Sequence, residues 1–156
     1  MKYLLFILIY SLLSCVSKLP FKLLYLLSDF IYFLLYKVLK YRVKTVRYNL
    51  KLCFPERSAD DLKSIEKKFY EHLCDLFLEM IKTLTIKPSE LDKRFVYTNL
   101  ELIKGYEAKQ KSIIIMLPHY GNWEWINSLG LLLNFKGYGV YKPLKNKYFD
   151  NLIRNI

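Results

Sequence analysis

The sequence predicts an α/β fold in which a parallel or mixed sheet is flanked by helices. Ile113–Leu117 is a continuous apolar run, which is typical of a strand buried on both faces. Gly137–Tyr141 resembles a second strand, and helical patterns follow both runs. The order strand, helix, strand, helix is typical of parallel sheets covered by helices.

The chain begins with two apolar segments. Tyr3–Ser17 carries no charge, and Leu23–Tyr36 carries a single acid. A helix over the first segment would rise about 22 Å, short of the roughly 30 Å hydrocarbon core. Because both segments are strongly apolar, we expect residues 1–38 to form a membrane anchor. It would be a spanning helix with Lys18 reaching to the interface, an interfacial helix, or a hairpin broken at Pro20.

A cleaved signal peptide is the alternative for this N-terminus. The stretch up to Cys15 resembles a loose lipoprotein cleavage site, but the chain stays apolar well beyond it, whereas a signal peptide ends at a short apolar region.

A basic stretch at residues 37–51 follows the two apolar segments. The net charge of the whole chain is +11, from 25 basic and 14 acidic residues. Such a cluster next to an apolar segment is typical of contact with an anionic cytoplasmic leaflet, although a solvated helix face has the same pattern. Without a zinc finger, an RNP motif or an Arg-rich helix, nucleic acid is the least favoured partner. The basic residues of this stretch are Lys37, Lys40, Arg42, Lys44, Arg47 and Lys51.

A long amphipathic helix of about 25 residues is predicted next. Ser58–Asp61 has the form of a capping box. His72, on this helix, has no second ligand at metal spacing and is interpreted as structural, and Glu79 as solvated or paired. The apolar positions are Leu62, Ile65, Phe69, Leu73, Leu76, Met80 and Leu84.

Four shorter elements complete the prediction. Phe95–Tyr97 is a candidate short strand, and Leu100–Ala108, Trp123–Leu133 and Lys147–Ile156 are candidate helices. Two or three strands cannot form a covered parallel sheet, and the last helical pattern has no stop signal. We therefore expect residues 39–156 to be the N-terminal part of a catalytic domain whose C-terminal half is absent.

The motif that carries chemistry is His119-Tyr120-Gly121-Asn122-Trp123-Glu124. A histidine suits general base catalysis, because its unperturbed pKa lies near working pH. A carboxylate on the far ring nitrogen fixes the tautomer and stabilises the imidazolium. The spacing works if His119 lies in a loop after the strand, Gly121 supplies a bend, and Glu124 lies in the first helical turn.

A histidine and a carboxylate at this spacing arise often by chance, and an inert, hydrogen-bonded histidine is the alternative. The wider sequence resembles the bacterial lipid A biosynthesis late acyltransferases, of the lauroyl and myristoyl type, whose motif reads HxGNWE. The resemblance also includes Tyr41-Arg42, Arg47-Tyr48-Asn49-Leu50, Phe54-Pro55 and the stretch from Tyr141 to Asn146, with Lys142 where arginine is usual.

This resemblance implies a lysophospholipid-acyltransferase-like fold and an enzyme of the bacterial inner membrane whose site faces the cytoplasm. It implies acyl–acyl carrier protein as donor and a lipid A precursor hydroxyl as acceptor. His119 becomes the general base and Glu124 its partner, with Asn122, Lys142 and Asn146 as candidate substrate-binding residues. For the two asparagines, turn stabilisation is an equal alternative. No metal or cofactor is expected.

Two other functions stay open at this point. One is a catalytically dead, membrane-associated binding or scaffold protein, and the other is an acyltransferase for another glycolipid or an aminolipid.

Overall fold

The computed structural model describes residues 2–154, and helices joined by turns and extended loops form this part of the chain. We number the α-helices α1–α7. They are α1 (Lys2–Lys18), α2 (Phe21–Tyr32), α3 (Val43–Cys53), α4 (Ala59–Lys82), α5 (Pro88–Leu91), α6 (Leu100–Ala108) and α7 (Lys147–Arg154), with a π-helix at Phe33–Val38 and a 3₁₀-helix at Trp123–Leu131.

The predicted α/β fold is wrong for the described residues, because residues 2–154 contain no β-strand. The run at residues 113–117 is extended, yet Ile114 and Met116 are each 91% exposed. In the second predicted strand, Tyr138 is 81% exposed and Val140 fully exposed. A strand forms only where a neighbour accepts and donates its backbone hydrogen bonds, and neither run has such a neighbour in this part of the chain.

Of the three forms expected for the N-terminal anchor, the membrane-spanning helix is also wrong for the described residues. Nowhere between residues 2 and 154 does a helix combine the length and the apolar character that crossing a membrane requires. The break predicted at Pro20 is confirmed, since α1 ends at Lys18 and Pro20 directly precedes α2. This break limits α1 to 17 residues, or about 26 Å of rise. The predicted domain boundary at residues 38 and 39 stays a prediction.

The described chain forms two compact units. Residues 18–81 make up the first, which we call the central unit. Residues 2–17 together with residues 82–154 make up the second, which we call the motif unit because it contains the histidine motif.

In the central unit, the long helix predicted after Ser58 is confirmed as α4, with 24 residues. Its predicted cap is present, since the Asp61 N–H donates to Ser58 Oγ at 3.1 Å. The predicted apolar face is wrong in part: Phe69 is 41% exposed, whereas Glu66 and Tyr70, four residues apart on the same face, are buried. A carboxylate therefore lies where the pattern predicted only apolar side chains.

The buried Glu66 carboxylate is held by two neighbours. Tyr36 donates its hydroxyl to Oε1 at 2.8 Å, and Arg47 donates Nε to Oε2 at 2.7 Å and Nη2 to Oε1 at 3.1 Å. Burial raises the pKa of Glu66, but the hydrogen bonds from Arg47 and Tyr36 outweigh this effect, so the pKa lies below its ordinary value of 4.5. Burial, followed by the bond to Glu66, raises the pKa of Tyr36 to about 12.

A second tyrosine completes this core. The Tyr70 ring stacks on Tyr36 with 4.8 Å between centroids, and its hydroxyl donates to the carbonyl of Tyr41. Tyr41 lies in a short loop between Lys40 and Arg42, which have positive φ angles of 49° and 52°. Non-glycine residues rarely adopt this left-handed conformation, so the loop is locally strained.

In the motif unit, α1 and α7 contact each other through aromatic rings. The Phe6 ring lies 5.5 Å from that of Tyr148 and 5.1 Å from that of Phe149. The α7 helix begins at Lys147, as predicted, and residues 155 and 156 of the predicted helix lie outside the described residues. The Tyr141–Asn146 stretch directly precedes α7, the helix that makes this contact.

The carboxyl end of α1 is capped from a distant part of the same unit. The buried Lys82 Nζ donates to the Ser17 carbonyl at 2.7 Å, and the Thr85 hydroxyl donates to the same oxygen. Burial lowers the pKa of Lys82 from its ordinary value. A cation at this position complements the negative end of the helix dipole and satisfies one of its last carbonyls.

Candidate active site

The histidine motif begins in an exposed turn after the extended residues 113–117. His119 is exposed, and the imidazole ring lies edge-on to the Trp123 ring with 4.6 Å between centroids. Gly121 has a φ of +55°, the left-handed conformation that glycine adopts at little cost. The bend predicted at Gly121 is therefore confirmed, and it redirects the chain from the extended segment into the helix that follows.

Glu124 lies in the first turn of the 3₁₀-helix, as the spacing of the motif predicted. Its side chain is half-buried, and within residues 2–154 no hydrogen bond or ion pair joins it to His119. Catalytic hydrogen bonds in ligand-free enzymes are often long and tighten only when substrate binds. The geometry thus brings the two side chains into one short segment without forming the pair itself.

The helix predicted at Trp123–Leu133 is present as the shorter 3₁₀-helix. Trp125 and Leu129 are buried, whereas Leu132 is 40% exposed and lies beyond the helix end. Nine residues is long for a 3₁₀-helix. Helices of this type are usually short, because their hydrogen bonds are poorer than those of an α-helix. Outside support is therefore needed to hold the segment that carries Glu124.

Tyr97 provides such support from the predicted strand Phe95–Tyr97. The strand itself is absent, but side chains still alternate, since Val96 is 74% exposed and Tyr97 is half-buried. The Tyr97 hydroxyl lies 2.7 Å from Ser128 Oγ, 3.2 Å from the Ile126 carbonyl and 3.3 Å from the Trp125 carbonyl. Neither Tyr97 nor Ser128 was predicted as a site residue, because no motif links positions so far apart.

The three predicted substrate-binding residues lie in different settings. Asn122 is half-buried and directly precedes the 3₁₀-helix, and Lys142 is exposed. Asn146 Oδ1 accepts a hydrogen bond from the Tyr148 N–H at 3.0 Å and so caps α7. Among residues 2–154, no hydrogen bond or ion pair connects Lys142 or Asn146 with His119 or Glu124.

Asp150 fastens the Tyr141–Asn146 stretch to α7. Its Oδ1 accepts from the Leu144 N–H at 2.8 Å, and its Oδ2 accepts from the Tyr141 hydroxyl at 3.3 Å. Asp150 was not predicted as a site residue, although an acid in the first turn of a helix is a recognisable signal. With the Asn146 cap, Asp150 fixes the backbone on which Lys142 is presented.

The chemistry available to this segment is that of an accessible imidazole. An exposed His119 can accept a proton from a substrate hydroxyl. The side chains of Lys142, Lys145 and Lys147, further along the chain, are exposed and can meet anionic groups. Within residues 2–154, no three His, Cys, Asp or Glu side chains converge as metal ligands would.

The matches to known proteins cover all or most of the chain. The family described as "Bacterial lipid A biosynthesis acyltransferase" matches residues 1–156. A similar protein is the lipid A biosynthesis lauroyltransferase of Escherichia coli strain K12, which is 26% identical over 135 residues. That match covers 86% of this chain and 44% of the relative, so the chain spans less than half of the relative's length. No solved structure matches the chain.

Proposed function

The chain belongs to the bacterial lipid A biosynthesis acyltransferase family, and we propose that it acts in moving a fatty acyl group from acyl–acyl carrier protein to a hydroxyl of a lipid A precursor. The observation that carries this proposal is the family match over residues 1–156, which includes the complete His119–Glu124 motif. The relative's description as a lauroyltransferase supports the same reaction class.

In the proposed reaction, His119 is the general base. Its imidazole removes the proton of the acceptor hydroxyl while that oxygen attacks the thioester carbonyl carbon. The carbon–sulfur bond then breaks, and the imidazolium returns the proton to the leaving thiolate, so that an ester and a free thiol result. Glu124 orients the ring and stabilises its protonated form, which requires the pair to close when substrate binds.

Charge supports the proposed partners. Acyl carrier proteins are acidic, and lipid A precursors carry phosphates, so both would be attracted by a chain of net charge +11. Lys142 and Asn146, in the loop that Asp150 holds, are proposed to contact the substrate. The basic residues from Lys37 to Lys51 support association with the inner membrane, with the site facing the cytoplasm.

The test is transfer of a labelled acyl group from acyl–acyl carrier protein to a lipid A precursor by the complete protein. His119→Ala is expected to lower turnover by about 100-fold to 10,000-fold, because it removes the general base. His72→Ala is the matched control, since His72 is exposed on α4, and it should retain full activity. Retained turnover in His119→Ala would overturn the assigned base.

A second candidate is a membrane-associated binding protein without catalysis. It is favoured by one observation, the lack of a hydrogen bond between His119 and Glu124 in the described residues. It predicts binding to vesicles that withstands His119→Ala, together with no transfer by the unmodified protein. Transfer to a glycolipid or aminolipid instead of the lipid A precursor would keep the enzyme and change its acceptor.

A further inference from the structure

The 3₁₀-helix at Trp123–Leu131 is held from outside by a hydroxyl relay. Ser128 Oγ donates to the Trp125 carbonyl at 2.8 Å. Ser128 Oγ also lies 2.7 Å from the Tyr97 hydroxyl, and either oxygen can donate in this hydrogen bond. The relay therefore runs from Tyr97 through Ser128 to the carbonyl of the residue that follows Glu124.

The setting of Tyr97 suits it to this task. A tyrosine hydroxyl is protonated at neutral pH and can donate, and burial raises the pKa of Tyr97 further above its ordinary value of 10.0. The hydroxyl also lies within 3.3 Å of the Trp125 and Ile126 carbonyls. The Phe95 ring lies edge-on to the Tyr97 ring with 5.1 Å between centroids. The tyrosine is thus fixed on one side and bonded to the helix on the other.

We propose that Tyr97 is a positioning residue, which holds the first turn of the 3₁₀-helix through Ser128 so that Glu124 can orient His119. This inference rests on the proposed function, because it assigns a purpose to the carboxylate. Catalytic groups must be held closely, since a misplacement of about 1 Å can lower a rate by about 100-fold. A long 3₁₀-helix, with its poor internal hydrogen bonds, cannot supply that rigidity alone.

The test compares Tyr97→Phe, which removes only the hydroxyl, with Tyr106→Phe on α6 as the matched control. Tyr97→Phe in the complete protein is expected to lower kcat by about 10-fold while KM changes by less than about twofold, a loss within the range that misplacement produces. In the pH profile of kcat, the apparent pKa of the base should fall towards that of Glu124→Gln, because a displaced carboxylate stabilises the imidazolium less. Tyr106→Phe should leave both unchanged.

Two further variants separate positioning from general stability. Ser128→Ala breaks the relay but leaves the Tyr97 hydroxyl within reach of the Trp125 and Ile126 carbonyls, so it should lower kcat in the same way as Tyr97→Phe but to a smaller extent. Ser128→Thr keeps the hydroxyl and should restore kcat. Amide hydrogen exchange across residues 123–131 should speed up in Tyr97→Phe and Ser128→Ala. A failure of Ser128→Thr to restore kcat would overturn the relay.

The outcomes also separate this inference from the proposed function. If His119→Ala and Glu124→Gln retain full transfer, the proposed function fails and the positioning role fails with it. If both are inactive while Tyr97→Phe keeps its kcat and pH profile, the proposed function stands and the positioning role alone is overturned, even if exchange across the helix speeds up.

Discussion

The central unit and residues 112–146 differ in how their backbone hydrogen bonds are satisfied. In the central unit, the helices satisfy these bonds internally, and side chains of the π-helix, α3 and α4 meet at the buried Glu66. Residues 112–118 are also mostly apolar, yet they are extended and mostly exposed, with Ile114 and Met116 each 91% accessible. Apolar composition alone therefore does not produce burial, because an extended segment also needs neighbours that complete its hydrogen bonds.

The two regions also differ in how their polar side chains are bonded. The polar network of Glu66, Arg47 and Tyr36 is fully bonded and serves the fold. The polar pair His119 and Glu124 is unbonded to each other in the described residues and can respond to a ligand. Sites that bind or react are drawn from the less stable parts of proteins, whereas bonded buried networks make a structure rigid.

Hydrogen exchange would show the largest difference between the two regions. We expect amides in the middle of α4 to exchange at least about 1,000-fold more slowly than those of residues 113–117, a difference of about 4 kcal/mol. Exchange followed by mass spectrometry on the whole chain measures both in one sample. Equal protection of the two regions would contradict the contrast.

Glu66→Ala should produce the next largest effect. It leaves the Tyr36 hydroxyl and the Arg47 guanidinium without their acceptor and opens a cavity, so we expect a loss of about 3 kcal/mol in the free energy of unfolding. Glu124→Ala, at a half-buried position without this network, should change it by less than about 0.5 kcal/mol. Urea unfolding followed by circular dichroism measures both, and similar losses would remove the distinction between the two carboxylates.

Acid should weaken the central unit through the same carboxylate. The pKa of Glu66 is lower in the folded chain than its ordinary value of 4.5, so its contribution to stability is present above that value and is lost as the pH falls through the folded pKa. The effect should be smaller than that of Glu66→Ala, because the protonated side chain still fills its site. Unfolding measured from pH 6 to pH 3 should show a steeper decline in the unmodified chain than in Glu66→Gln, and parallel curves would contradict this assignment.

Ser58→Ala should have a smaller effect of about 1 kcal/mol, which is typical for the loss of an N-cap. The substitution removes the acceptor for the Asp61 N–H at the start of α4. Ser58→Thr is the matched control, because threonine keeps the hydroxyl that accepts from the Asp61 N–H and donates to Asp61 Oδ2 at 2.9 Å, and it should keep the unmodified midpoint of urea unfolding. A midpoint for Ser58→Ala that matches the unmodified chain would show that α4 does not depend on its cap.

The same contrast explains which predictions succeeded. The start of α4 directly after Ser58 and the break at Pro20 depend on local rules, so the sequence was sufficient to locate them. The strands at residues 113–117 and 137–141 depend on partners distant in sequence, and the prediction assumed partners that residues 2–154 do not supply. Glu66 was missed because its burial depends on Arg47 and Tyr36, which lie on other helices.

The candidate site likewise has local features that were predicted and distant supports that were not. Its local features, the bend at Gly121 and the position of Glu124 in the first helical turn, followed from the motif. Its supports, Tyr97 and Asp150, act across loops and leave no periodic pattern in the sequence. The catalytic roles of His119 and Glu124, and substrate binding by Asn122, Lys142 and Asn146, stay predictions.

The strained loop around Tyr41 offers an engineering opportunity. Lys40 and Arg42 hold left-handed backbones at a cost that glycine would largely avoid, although glycine makes the unfolded chain more flexible. Lys40→Gly combined with Arg42→Gly should therefore raise the urea midpoint slightly and lower the net charge by two. A lower midpoint would show that the two cationic side chains contribute more than their backbone strain costs. A variant with the expected gain would be a more stable and less strongly charged sample for crystallisation.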